Sequence, residues 1–259
     1  MGALMSASTI VESSVWKPGN TTPTQRAHNV SFTDLLSSAA ITRKFYVMSC
    51  EGRRPTFQNL RLAVLETKSL GLDYAIFGTA MTLMPLSSAK IEGIEDLDKA
   101  TELLKTMGDD ETYQFIGALR EVSPSYLGTM KRWDYRGYAG GTWDLLIASA
   151  NFDSVCRNMV NGYKYTKLAY REIERAKDLA EGILMGFLKV LSEVPDGLIL
   201  RRHGARAALW ASETARKILR SMDGNALNDF NNILLQRRWN PGSTADIVAS
   251  AVYLYLVEK

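Results

Sequence analysis

Charged and polar side chains gather in four short turns, each of a type that handles anions or moves protons. The stretch Arg237-Arg238-Trp239-Asn240-Pro241-Gly242-Ser243-Thr244-Ala245-Asp246 places two arginines before a Pro-Gly turn and a carboxylate after it. Pro presets φ and Gly takes positive φ without a Cβ clash, so the chain turns here. Ser243 and Asp246 have the S-x-x-D spacing of a capping box, which predicts a helix start at this point. Two readings remain open. One is a well-capped core helix. The other is an anion site made by free N–H groups, the helix dipole and the arginines. Lys17-Pro18-Gly19-Asn20 reads as a second turn, structural on sequence grounds alone. Arg201-Arg202-His203-Gly204 is expected at the start of a helix, where cations oppose the dipole and call for water or a bound anion. Asp134, in Lys131-Arg132-Trp133-Asp134, falls in a long loop and by itself reads as a solvated carboxylate. Four such turns in one chain suggest the rim of a single polar pocket.

Other chemistries are absent from the sequence. His28 and His203 are the only histidines and neither sits in a nucleophile motif; with Cys50 and Cys156 they make no zinc spacing. There is no Walker loop and no G-x-G-x-x-G, and the glycines near Gly140 follow no strand. Two distant cysteines argue against a disulfide framework and fit a reducing cytosol. Net charge is +3, from 31 basic and 28 acidic residues, too near balance for bulk nucleic-acid binding. Met1 to Ser8 lacks the charged and apolar regions of a secretory signal. The longest apolar stretches, Tyr74 to Leu86 and Ile247 to Val257, are too short to span a bilayer. A cytoplasmic protein with no membrane partner is expected.

Elements must hold those turns, and their signals are helical. Ala7 to Val15 predicts a short helix. Ser31 caps the next, with Phe32, Leu35, Leu36, Ala39 and Ala40 on one face, continuing through Phe45 to Met48. Pro55 opens another, with Phe57, Leu60 and Val64 inward. Gly71 to Leu86 predicts a buried irregular helix, Asp96 to Met107 an amphipathic one, and Thr112 to Val122 a short one stopped at Ser123-Pro124. Ser125 to Gly141 reads as a long loop. Two long helices are expected next, the second with Ala176, Leu179, Ala180, Ile183, Phe187 and Leu191 as its stripe. A single helix is expected over Leu198 to Met222, and a buried one over Ile247 to Val257. Period-2 alternation is nearly missing. The expected fold class is all-α, a single multi-helix bundle-like domain over residues 1–259.

Taken together, the turns resemble the triphosphoribosyl-dephospho-CoA synthase family over nearly the whole chain. Glu12 to Asn20 is similar to the family's K-P-G-N segment, and Phe32 to Ala39 to the helix after it. Ser123 to Gly128 looks like its S-P-x-x-L-G turn, and Asp134 falls at a family aspartate. Asp153 to Tyr163 is similar to an arginine-bearing helix. Pro195-Asp196 through Arg202-His203-Gly204 resembles P-D-x-x-x-x-R-K-H-G, and Asn240 to Asp246 resembles N-P-G-T-[ST]-A-D. Two departures stand out. Where the family has N-T-x-x-G, Tyr74-Ala75-Ile76-Phe77-Gly78 keeps only the glycine. The loop Thr21 to Asn29 carries Gln25, Arg26 and His28 in a different arrangement.

The resemblance implies a transferase that joins ATP to 3′-dephospho-CoA. The acceptor 2′-hydroxyl attacks ribose C1′ of ATP and adenine leaves, with charge growing on the sugar as in glycoside transfer. It implies Asp134 and Asp246 as base or as Mg²⁺ ligands, with ATP as substrate. Lys17, Arg202 and His203 would hold phosphates; Gly19 and Gly242 would let backbone N–H groups approach; Asn20, Asn240 and Ser243 complete the nucleotide contacts. The partners are then small nucleotides. An alternative is a non-catalytic or repurposed homologue that binds a nucleotide or a protein. A helical nucleic-acid binder, resting on the Arg53-Arg54, Lys131-Arg132, Arg201-Arg202 and Arg237-Arg238 pairs, is disfavoured by the charge balance.

Overall fold

The computed structural model describes residues 1–27, 30–122 and 140–259, and the described residues form α-helices with no strand. In chain order they are α1 (Gly2–Ser14), α2 (Phe32–Cys50), α3 (Thr56–Ser69), α4 (Phe77–Ser88), α5 (Leu97–Lys105, entered by a 3-10 turn at Ile94–Asp96), α6 (Asp109–Val122) and α7 (Thr142–Ser149). There follow α8 (Ser154–Val160), α9 (Lys164–Arg175), α10 (Leu179–Glu193), α11 (Gly197–His203), α12 (Ala205–Ser221), α13 (Gly224–Gln236) and α14 (Gly242–Val257). None of these helices is long and apolar enough to cross a membrane.

The terminal helix α14 is the centre of the packing. Its residues from Ile247 through Leu254 are all buried, on every side of the helix. A helix apolar all round must be surrounded, and α1, α4, α8, α9, α10 and α11 pack against it. Further out, α2 lies on α1, α3 on α2 and α6, and α12 on α10. One continuous apolar cluster joins residues from Met5 to Leu254. The chain's two ends, α1 and α14, therefore lie side by side in the interior.

Local signals set several boundaries as the sequence suggests. Ser31 accepts from Asp34 N at 3.0 Å and caps α2, which runs unbroken through Phe45 and Met48. Pro55 stands at the start of α3, where its missing N–H costs nothing. Elsewhere the structure differs. The irregular helix expected over Gly71 to Leu86 is helical only from Phe77, because Gly71 at φ +73° turns the chain out of α3. One long helix expected before α10 is three, α7, α8 and α9, broken where Asp153 caps α8 and Gly162 and Tyr163 take positive φ. The helix expected over Leu198 to Met222 is split at Gly204, which sits at φ +83°. That split reverses one reading. Arg201, Arg202 and His203 lie in the last turn of α11, where cations favour the dipole, and not at a helix start.

Candidate functional site

The N-terminus of α14 is organised by a carboxylate from another helix. Asp196 caps α11, its Oδ1 accepting from Leu198 N at 2.9 Å and Ile199 N at 3.0 Å. Its Oδ2 accepts from Thr244 N at 2.7 Å and Thr244 Oγ1 at 2.8 Å. One buried side chain thus satisfies free donors of two helix N-termini and fixes them against each other. Burial pushes the Asp196 carboxyl above its ordinary pKa, against the pull of these hydrogen bonds.

The expected capping box at Ser243 and Asp246 does not form. The helix begins at Gly242 after Pro241, without a side-chain cap, so Ser243 is already helical and Asp246 lies in the second turn. From there Asp246 faces α4. Thr79 Oγ1 donates to its Oδ1 at 2.6 Å, and Oδ2 rests against the backbone of Gly78. A Cβ at Gly78 would stand 2.0 Å from that oxygen, so only glycine admits the carboxylate here. The Asp246 pKa is raised to about 7, first by burial, then by the negative charges of Glu12, Asp196 and Asp153, while the Thr79 hydroxyl opposes the rise. The glycine kept in the Tyr74–Gly78 strip is therefore the one that the carboxylate requires.

Asp246 lies on a cavity of about 580 Å³, within the usual range for small-molecule sites. Lys17, Asn20, Arg202, Asn240, Gly242, Ser243 and Asp246 all line it, so three of the expected turns, far apart in sequence, meet at one cavity. Apolar side chains line it too, among them Ile76, Phe77, Phe115, Leu119 and Leu146. Asn20 Nδ2 donates to Asn240 Oδ1 at 2.8 Å and ties the two turns together.

Not every expected residue is free to meet a ligand. Lys17 is 1% exposed; its Nζ donates to Glu12 O at 2.5 Å and Val15 O at 2.7 Å, and lies 3.1 Å from Glu12 Oε1. The ammonium therefore closes the C-terminal end of α1, where the dipole favours a cation. Burial draws its pKa down and pushes that of Glu12 up, each opposed by the partner's charge. Gly19, at φ +72°, gives its N–H to Asn231 Oδ1 at 2.9 Å and packs beneath Leu234 and Pro241, outside the cavity. His203 is exposed and also outside it, with its ring 6.3 Å from that of Trp239. Partial burial lowers the His203 pKa, a hydrogen bond to the Arg238 backbone raises it, and the Arg202 charge lowers it again. Asp134 lies outside the described residues.

Several lining groups were not assigned a role in the site from the sequence. Asp153 caps α8 through Val155 N at 2.8 Å and Cys156 N at 3.1 Å, and its other oxygen pairs with Arg201. Glu12, Thr79, Asp153 and Arg201 all line the cavity. Asp153 and Asp196 did carry a signal, an aspartate just before a helical run. Thr79 carried none, because its role depends on a contact across 167 residues.

Among the described residues no group of three or more His, Cys, Asp and Glu side chains is arranged to hold a metal ion. Glu12, Asp153 and Asp196 are engaged by Lys17, Arg201 and helix N–H groups, which leaves Asp246 as the buried cavity carboxylate with capacity for a ligand.

Over the described residues, fold and site together define a helical protein with a partly open cavity lined by both charged and apolar side chains. The family model for ATP:dephospho-CoA triphosphoribosyl transferase (CitG) matches residues 1–259, and the chain belongs to that family. Its structure is similar to a crystal structure of a proposed triphosphoribosyl-dephospho-CoA synthase from Archaeoglobus fulgidus, with a TM-score of 0.71 and 21% identity, covering 86% of this chain and 98% of that one. At that identity the likeness concerns the fold. No curated protein matches the sequence.

Proposed function

We propose that this cavity carries out the transfer for which the family is named, moving the triphosphoribosyl group of ATP to 3′-dephospho-CoA with release of adenine. The observation that carries the reading is Asp246: a carboxylate on the cavity wall, wedged against Gly78 and Thr79, with a pKa of about 7. A group poised near neutrality can take a proton from the attacking 2′-hydroxyl and pass it on. The C1′–adenine bond breaks as the O2′–C1′ bond forms, and the departing adenine takes up a proton. Arg202, with the N-terminus of α14 beside it, supplies positive potential for the triphosphate. Lys17 acts by position, holding the end of α1 and the turn that bears Asn20.

Mg²⁺ fits this arrangement as an ion that comes with the triphosphate. It needs only one or two carboxylates besides phosphate oxygens, and Asp246 stands amid three other carboxylates whose field a cation would relieve. Asp246, with Asp134 from the resemblance, would hold it; bound there it would neutralise triphosphate charge. A cytoplasmic setting, where both free cysteines stay reduced, fits nucleotide substrates of this kind.

The test is calorimetric titration with ATP and Mg²⁺, with and without 3′-dephospho-CoA, followed by an assay for free adenine. Adenine release that disappears in Asp246→Ala supports the reading. Nucleotide binding without adenine release would favour the alternative of a binding homologue. Full activity in Asp246→Ala would remove Asp246 from the mechanism.

A further inference from the structure

A second cavity, of about 480 Å³, lies on the other side of the wall made by the Gly19 and Asn240 turns. Its lining includes Gly19, Arg26, Leu234, Arg238, Trp239 and Asn240. Asn240 belongs to both cavities, so a ligand in one lies just across a side chain from the other. We propose that this second cavity is a binding site for a phosphoanhydride group, held by the guanidinium groups of Arg26 and Arg238 beside the Trp239 ring.

Charge is the first argument. Arg26 and Arg238 are exposed, and among the described residues neither enters an ion pair with a carboxylate. Arg237, outside the lining, stacks over the Trp239 ring at 4.9 Å and leaves Arg26 and Arg238 as the two cations of the cavity. Like charges that share one concavity repel each other, and an anion relieves them; guanidinium groups match phosphate oxygens two at a time. Rigidity is the second. Trp239 is held edge-on by Trp210 at 5.6 Å, and Trp210 in turn by Phe230 at 5.8 Å, so the wall beside the cations is fixed.

The backbone supplies a way to test it. Arg238 sits at φ +59°, in the position after α13 where Trp239 N reaches back to Leu234 O at 2.8 Å and Arg238 N to Leu235 O at 3.1 Å. Helices that end this way favour glycine at that residue. Lys90 and Met222 also take positive φ at helix ends, so the strain is not itself a sign of binding. It does mean that glycine at position 238 removes the guanidinium while it relaxes the backbone. A residue kept only for the fold would not behave so.

The experiment is titration of the whole chain with inorganic pyrophosphate, comparing wild type, Arg238→Gly, Arg26→Ala and Arg202→Ala. Expected is measurable binding to wild type, and an affinity loss of about tenfold or more in Arg238→Gly and in Arg26→Ala. Arg238→Gly should at the same time raise Tm by about 2–4 °C. Titrations with ATP and with 3′-dephospho-CoA identify the source: the nucleotide that weakens in Arg238→Gly is the one whose phosphates lie here. If neither weakens while pyrophosphate does, the site takes a free anion. No pyrophosphate binding to wild type, or a loss confined to Arg202→Ala, would overturn the proposal. Because binding alone is read, failure of the transfer reaction is a separate outcome.

Discussion

The two cavities share a wall but are built on opposite principles. In the first, each buried charge is engaged by a named partner: Lys17 by Glu12 and the carbonyls of α1, Arg201 by Asp153, Asp196 by two helix N-termini, Asp246 by Thr79. In the second, Arg26 and Arg238 face solvent, as does Arg237 just outside its lining. Compensated, desolvated charge is held to a fixed geometry and its pKa can be moved far from the ordinary value, which is what a reacting centre needs. Uncompensated exposed cations keep their freedom and can follow a flexible polyanion. Changes in the first cavity should therefore appear in turnover and stability, and changes in the second in affinity.

The largest effect is expected at Asp246. Asp246→Asn should lower kcat by about 10²–10⁴-fold and remove the acidic limb, near pH 7, from the pH dependence of kcat/KM. Stability should move the other way. The folded-state pKa lies above the unfolded one, so the native state binds the extra proton between the two values and loses stability as pH rises from about 4 to 7. Denaturant unfolding should show this decline in wild type, and Asn should flatten it and stabilise the protein at pH 8. A profile that is flat in both would remove the raised pKa.

Lys17→Met should come next, costing on the order of 3–5 kcal/mol of unfolding free energy, because Glu12 is left buried without its partner. Should stability hold while ATP affinity falls, Lys17 would be a phosphate ligand after all. Gly78→Ala follows. A Cβ 2.0 Å from Asp246 Oδ2 forces the carboxylate aside, so kcat should fall by about 10²-fold with helix content unchanged by circular dichroism. Thr79→Val removes a hydrogen bond that favours the ionised carboxylate. It should shift the acidic limb upward and lower kcat at pH 7 by about tenfold. Smallest is Arg237→Ala, whose stacking on half-buried Trp239 is worth about 0.5–1 kcal/mol. Any effect of Arg237→Ala on kcat larger than that of Thr79→Val would break the distinction between the cavities.

The helical class, the Ser31 cap, the Pro55 helix start and the cluster of turns were legible from local sequence. Those signals are local: Ser31 before a periodic stripe, Pro55 at a helix start, an apolar run from Ile247 that must be surrounded. The turn motifs also brought Asn20, Arg202, Asn240, Gly242, Ser243 and Asp246 onto one list, and one cavity holds them all. Tertiary structure alone decided their roles. Whether Asp246 caps its own helix or faces Gly78 depends on where α14 begins, and that is fixed by Asp196 from another helix. Whether Lys17 meets phosphate or closes α1 depends on burial beside Glu12. Whether Arg201 and Arg202 start a helix or end one depends on the break at Gly204. Spacing along the chain reports which residues can share a turn. Charge state and direction follow from desolvation and from partners on other helices, as far as 167 residues along the chain for Thr79 and Asp246, and those exist only once the chain has packed.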